Sequence, residues 1–360
     1  MNIAISKRIE FSAARQLAGR TEGRNFVLWV GVAGPVQTDT GMIINLSELS
    51  ATIKDVLERY DHRYLNSQLD DEPTTPNTAR ALWADLSGRL QLDCIELIEE
   101  AGEAARMTPA GVVTIAHGAF SAAHRTHAPR LSDIENQALY GICDNPSGHG
   151  HNYQVQLTLP AGSRVPQTVW AEFDHKNLST DIPDLAGRNV VTEAVAELIA
   201  RRVPQALRVR VHETADFFAE YRRDDPEYRL GRRYRFNAAH RLHSLALSAQ
   251  ENQRIYGKCN RPEPHGHSYA VEIMVKSKLD PRTEAAYDIG QLDETAASIL
   301  SELNYTYLDA DVAAFQRQPS TGENIVGYLW EKFQARLAGA MEAMRLWETP
   351  NNLFIIEPHS

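Results

Sequence analysis

Residues 120–124 read FSAAH and residues 140–159 read YGICDNPSGHGHNYQVQLTL; further on, 236–240 read FNAAH and 256–275 read YGKCNRPEPHGHSYAVEIMV. The two frames keep the same spacing. The early histidine precedes the cysteine by 19 positions (His124 to Cys143, His240 to Cys259), and the cysteine precedes the next histidine by 6. After each His-Gly-His, apolar and polar residues alternate, which predicts a β-strand. Side chains at i and i+2 leave a strand on the same face. His149 with His151, and His265 with His267, can therefore reach one cation, and the glycine between them leaves room for close approach. A third imidazole from a neighbouring strand, His124 or His240, completes three nitrogen donors. Three donors with an open position are the pattern of catalytic zinc, whereas structural zinc is closed by four protein ligands. The isolated histidines His117, His127, His212, His243 and His359 read instead as surface or internally satisfied side chains.

Composition bounds the partners. The chain has 360 residues and a net charge of −10, enough length for two or three domains. Its acidity argues against nucleic acid or an anionic membrane as the main partner and leaves room for an anionic small molecule in a local basic pocket. Three cysteines cannot build a disulfide framework; Cys94, outside any motif, reads as a buried strand thiol. No apolar run approaches a membrane span. MNIAISKRIEFSAA reads as a first strand, not a signal peptide, so a cytoplasmic protein is expected.

The repeat extends to three copies. IEFSAA (9–14), GAFSAA (118–123) and YRFNAA (234–239) correspond, as do YDHRYLN (60–66), FDHKNLS (173–179) and NYTYLD (304–309). Each copy continues into an amphipathic helix (TPNTARALWADLSGRL, VTEAVAELIARRV, TGENIVGYLWEKFQARL) and closes on a strand ending in a carboxylate (ELIEEAG, RVHETAD, RLWETPNN). Further helices are expected at 47–60 and 290–303. Polar stretches at 102–111 and 219–231 read as linkers. The expected domains are 1–108, 109–224 and 225–360, each of β-β-α-α-β-β type. In the second, only TVWAE separates the strand pair from FDHKNL, so its first helix is lost.

FSAAH, C-x5-HGH, DHKNL and ETPNN together make the chain resemble three tandem copies of the 6-pyruvoyltetrahydropterin synthase / 6-carboxytetrahydropterin synthase family. The resemblance implies an α+β tunnelling fold (T-fold), the three copies forming a pseudo-trimeric antiparallel β-barrel of twelve strands with helices outside. It implies a homodimer that reproduces a hexamer. The implied substrate is 7,8-dihydroneopterin triphosphate. Carried onto this chain, zinc falls to His124, His149 and His151 and to His240, His265 and His267, two ions per chain. The proton-abstracting bases are Cys143 and Cys259, the proton relays Asp61-His62 and Asp174-His175, and the pterin anchors Glu213 and Glu348. A cysteine near a cation is expected to have a lowered pKa. The five-residue gap between cysteine and HGH favours triphosphate elimination to 6-pyruvoyltetrahydropterin; the alternatives are 6-carboxytetrahydropterin synthesis on the queuosine route and an inactive pterin-binding scaffold.

The copies depart from the pattern differently. The first has Arg15 at the histidine position and GRNFV in place of HGHNY, so it has neither metal site nor cysteine, yet it keeps Asp61-His62. The third has Asn304-Tyr305 where Asp-His belongs. In the resembling family the pair reaches into the adjacent subunit's site. The economical expectation is that each metal site takes its pair from the preceding copy, giving two complete sites.

Overall fold

The computed structural model describes residues 2–99, 102–337 and 339–357. The first copy comprises β1 (Ile3–Leu17), β2 (Arg20–Gly34), α1 (Leu46–Leu57), α2 (Thr75–Ser87), β3 (Leu92–Glu99) and β4 (Glu103–Thr108). The second comprises β5 (Gly111–His124), α3 (Asp133–Tyr140), β6 (His149–Pro160), α4 (Thr168–Ala171), β7 (Lys176–Asn177), α5 (Thr192–Arg202), β8 (Arg208–Thr214) and β9 (Phe217–Arg222). The third comprises β10 (Tyr228–His240), α6 (Ala249–Tyr256), β11 (His265–Ser277), α7 (Ile289–Ser301), β12 (Thr306–Tyr307), α8 (Leu308–Asp311), α9 (Gly322–Arg336), β13 (Met341–Thr349) and β14 (Asn352–Ile356).

The long strands follow one hydrogen-bonded order, β1-β2-β3-β4-β5-β6-β8-β9-β10-β11-β13-β14, and β14 pairs β1, so the order returns on itself. Each copy supplies four of these strands, as the T-fold reading expects.

Contacts divide the chain into two compact units, residues 1–112, 233–273 and 290–360, and residues 113–232 and 274–289. In the first, β1 and β2 pair along fifteen residues, from Ile3↔Gly34 to Leu17↔Arg20. The Asn45 side chain caps α1 and Thr74 caps α2, which has Pro76 in its first turn. Their apolar stripes (Leu49, Ile53, Val56; Ala79, Leu82, Leu86) are buried. In the second unit, α5 is buried through Val195, Leu198 and Ile199 against Val155, Leu157, Val209 and Val211 of the sheet. Where the other copies carry a full helix, α4 has four residues, and its Trp170 closes the core on Gly118. A Cβ at Gly118 would lie 2.2 Å from the indole.

The helices and strands predicted from periodicity are present, with α4 the remnant of the lost helix. Two expectations change. The stretches 102–111 and 219–231 are not linkers: they contain β4 with its turn, and the β9–β10 hairpin. Successive copies are joined as neighbours in a sheet, so only a tight turn is needed between them. The short helices α3 and α6 were not anticipated, although Ser132–Glu135 and Ser248–Glu251 form capping boxes at their starts.

Candidate metal and catalytic site

β5 and β6 pair so that His124 stands opposite His149 and Ala122 opposite His151. The histidine spacing is thus a consequence of sheet register. His124 is 1% exposed, and its Nδ1 lies 2.7 Å from the Val190 carbonyl. A carbonyl only accepts, so Nδ1 carries the proton and Nε2 is left with its lone pair. His240 repeats this with the Ser320 carbonyl at 2.9 Å. The ligand atoms of His124, His149, His151 and Glu213 all lie within 4.8 Å of one another, as do those of His240, His265 and His267. His124 Nε2, His149 Nδ1, His151 Nε2 and His240 Nε2 are buried and have no hydrogen-bond partner. Such nitrogens are costly to leave empty, and neutral imidazoles oriented by a carbonyl behind them are how proteins hold zinc. The donor set fits that ion. Burial, then neighbouring imidazoles, push His149 down, and His265 to about 4, which keeps them neutral. Glu348 Oε1 stands 3.7 Å from His240 Nε2 and 4.0 Å from His267 Nε2, and Glu213 Oε1 stands 3.4 Å from His151 Nε2.

Cys143 and Cys259 lie in single 3-10 turns that follow α3 and α6. Neither sulfur joins a histidine cluster among the described residues, a position suited to a base and not to a ligand. Burial, then Glu213, pushes the Cys143 thiol up; burial, then Glu348, does the same at Cys259, with Lys258 opposing. The protein's own groups thus favour the thiol, and the lowering expected from sequence rests on the cation beside it.

In the third copy, His240, His265, His267, Cys259 and Glu348 line a cavity of about 910 Å³ whose opposite wall carries Lys7, Asn45 and Lys54 of the first copy. Asn45 Nδ2 donates to the Ile255 carbonyl at 2.7 Å, and Tyr256 donates to the Thr40 carbonyl at 2.7 Å. The third copy's metal cluster therefore faces the first copy.

The Asp-His segments are built alike in all three copies. The Ser12 amide donates to Asp61 Oδ1 at 2.9 Å, Ser121 to Asp174 at 2.8 Å, and Asn237 to Asn304 at 2.9 Å. Asn304 keeps the acceptor and loses the charge. His62, His175 and Tyr305 all sit at positive φ (57°, 57° and 61°), a costly conformation for such residues that aims the side chain away from the turn. Asp61 and Asp174 hold their histidines at 2.9 and 2.8 Å, with His62 82% and His175 84% exposed. One edge of β1 pairs β2 throughout; the other pairs β14 at residues 3–7 and bridges Tyr64 at Ala14. Asp61-His62 thus sit on the edge of β1 that carries the third copy's β14. On β5, β7 lies on the edge opposite β6; on β10, β12 lies beyond the residues paired to β9.

The first copy replaces the metal cluster with charges. Arg15 stands opposite Glu22 and Ala13 opposite Arg24, so Arg15, Glu22 and Arg24 occupy the three histidine positions. Arg15 pairs with Glu22 and Glu99 at 2.8 Å each, and Arg24 with Glu22 at 2.7 Å. Glu99, in the closing ELIEEAG strand, is the counterpart of Glu213 and Glu348. Tyr153 and Tyr269 were missed in the sequence: fully buried, beside the histidines, each with an unpartnered hydroxyl. The signal was present, since HGHNY and HGHSY end in tyrosine where GRNF ends in Phe26. Of the isolated histidines, His127 is satisfied by Asp144 at 2.8 Å and His243 by Asn260 at 3.0 Å; His117 and His212 also have partners. His359 lies outside the described residues. Burial pushes the Cys94 thiol up to about 12.

The family model described as "6-pyruvoyl tetrahydropterin synthase" matches residues 4–110, 114–224 and 229–359. The chain belongs to this family, in three tandem copies. The Drosophila melanogaster 6-pyruvoyl tetrahydrobiopterin synthase is 40% identical over 127 residues, covering 34% of this chain and 76% of the relative. The Homo sapiens 6-pyruvoyl tetrahydrobiopterin synthase is 37% identical over 128 residues, covering 35% and 88%. Each relative thus corresponds to one third of the chain. Among solved structures, the Caenorhabditis elegans 6-pyruvoyl tetrahydropterin synthase matches at 33% identity with a TM-score of 0.36, covering 37% of this chain and 97% of its own. No helix among the described residues is long and apolar enough to cross a membrane.

Proposed function

We propose that the chain is a zinc-dependent lyase that converts 7,8-dihydroneopterin triphosphate to 6-pyruvoyltetrahydropterin with elimination of triphosphate. The observation that carries this reading is the meeting of His240, His265 and His267 with Cys259 and Glu348 in one cavity. His124, His149 and His151 would hold a second ion in domain 109–224; domain 1–108 would hold none, and domain 225–360 would hold the first. Zinc, when bound, polarises substrate hydroxyls and acidifies the adjacent C–H. Glu348 accepts hydrogen bonds from the pterin amino and ring N–H groups. Cys259, as thiolate, removes the side-chain proton, and a histidine oriented by its carboxylate carries protons to and from the substrate.

The edge on which each Asp-His segment sits favours lending from the following copy, reversing the order expected from the inventory of parts. Asp61-His62 then serve Cys259. One complete site per chain results. The test is turnover of 7,8-dihydroneopterin triphosphate by the zinc-loaded chain, with triphosphate release and pterin chromatography as readouts. Cys259→Ala and His62→Ala should each remove nearly all activity, while Cys143→Ala and His175→Ala retain most of it. Residues of one site act as a unit, so the double variant Cys259→Ala/His62→Ala should be no worse than either single. Acetaldehyde among the products would replace this reading with 6-carboxytetrahydropterin synthesis, and absence of turnover with the pterin-binding scaffold. Two chains face to face would reproduce the family hexamer.

A further inference from the structure

The two histidine clusters differ in how their glutamates stand. The strand register shifts at both, at Glu213 between His212 and Thr214 on β8, and at Glu348 between Trp347 and Thr349 on β13. Such an irregularity re-aims one side chain, here toward the imidazoles. In the second copy the glutamate joins the set: one oxygen of Glu213 and one nitrogen each of His124, His149 and His151 all lie within 4.8 Å of one another. In the third copy the set is His240, His265 and His267 without Glu348, whose Oε1 stays near two of the three, 3.7 Å from His240 and 4.0 Å from His267. Zinc holds nitrogen and oxygen at about 2.0–2.2 Å in a tetrahedron, which sets its ligand atoms roughly 3.3–3.6 Å apart. The 3.4 Å between His151 Nε2 and Glu213 Oε1 matches such an edge. The difference has a source in the next helix. Thr192, the first residue of α5, donates to Glu213 Oε2, while Oε1 faces His151. In the third copy α9 begins on Gly322. A Cβ there would lie 2.1 Å from the Phe354 ring, so the ring excludes a hydroxyl-bearing side chain, and Glu348 accepts instead from Asn352 Nδ2 at 3.4 Å. The first copy supplies a parallel: Thr75, the first residue of α2, donates to Glu99, and Glu99 is committed to Arg15, the cation at the first histidine position.

The geometry points to Glu213 as a fourth protein ligand, so that the second copy's ion is closed by His124, His149, His151 and Glu213 while the third copy's ion keeps an open position. Thr192 is the positioning residue, orienting the ligating carboxylate from behind. Resting on the zinc binding proposed above, it takes Glu213 away from anchoring a pterin. The second ion is then structural, tying β5, β6 and β8 together, and a substrate oxygen finds a free coordination position only at the third copy's ion.

Cobalt(II), which takes the same donors as zinc, gives each site a visible spectrum, and azide is the probe for an open position. In the full chain loaded with two cobalt ions, titration should end at one azide per chain. His267→Ala, which leaves cobalt in the second cluster, should give a spectrum that azide does not move. His151→Ala, which leaves it in the third, should respond as the unmodified chain does. Adding Glu213→Ala to His267→Ala should make the second cobalt responsive to azide and lower its affinity, read by competition with a chelator, by about tenfold or more. Thr192→Val should weaken that affinity by about tenfold, and Thr192→Ser should restore it. All of these readouts are made without substrate. Two azides per chain, an azide-responsive second cluster with Glu213 intact, or unchanged metal affinity in a Glu213→Ala chain that melts normally, would overturn the inference. An azide-silent second ion in a chain that does not turn over 7,8-dihydroneopterin triphosphate would sink the proposed reaction and leave the closed site standing.

Discussion

Replacing Arg15 with methionine tests the claim that the first copy exchanged a metal cluster for a buried charge cluster. The Arg15 and Glu99 side chains are each 4% exposed and 2.8 Å apart. Arg15 also donates to the Pro73 carbonyl at 3.1 Å, and Thr75 donates to Glu99. Burial opposes the charge on Arg15, but its bonds to Glu99 and Glu22 outweigh that and raise its pKa. Removing one partner strands the other charge in the interior, which costs about 3–5 kcal/mol. Removing both, as in Arg15→Met/Glu99→Leu, strands nothing at that pair and should recover most of the loss. The assay is amide hydrogen exchange along β1, β2 and β3, which reads local opening directly. At about 1.4 kcal/mol per tenfold, Arg15→Met should lower protection there by roughly two to three and a half decades, and the double variant by about one decade or less. A single variant costing under about 1 kcal/mol, or a double variant costing the sum of two singles, would refute the reasoning.

Metal analysis should find two zinc ions per chain; His267→Ala should leave one, and Arg15→His/Glu22→His/Arg24→His, which rebuilds the three-histidine register around Gly23, should raise the count to three. Burial raises the Glu323 carboxyl to about 7 from 4.5, although it accepts the Ile43 amide. A raised folded-state pKa gives stability that is complete below about 4.5 and lost as pH rises through 7, roughly 3 kcal/mol in all. Glu323→Gln should therefore flatten the fall in urea stability between about pH 5 and 8, and an unchanged slope would exclude this carboxyl as its source. Gly118→Ala should cost about 1–3 kcal/mol by overpacking Trp170, and Trp170→Leu in the same chain should restore most of it. Light scattering should give a mass near twice 40.3 kDa; a stable trimer of chains would contradict the closed strand order.

The three-copy repeat, the strands after each His-Gly-His and the histidine trios were legible in the sequence because each is a local pattern. Alternation fixes which residues share a strand face, and a one-residue slip would turn His149 and His151 off the face they share with His124. Glu213 and Glu348 were legible for the same reason, as strand residues at a repeated place. Three features required the tertiary structure. The Arg15–Glu22–Arg24–Glu99 network is visible only once β2 lies beside both β1 and β3, since none of the four is adjacent to another in the chain. The unpartnered Nε2 atoms depend on the Val190 and Ser320 carbonyls, supplied from 66 and 80 residues away. An inventory of motifs leaves Asp61-His62 able to serve either side, and the structure adds that β14 lies on the edge of β1 that also carries them. Sequence periodicity fixes what a strand presents on its faces; which partner lies along its edge is decided by backbone hydrogen bonds that are nearly blind to side-chain identity.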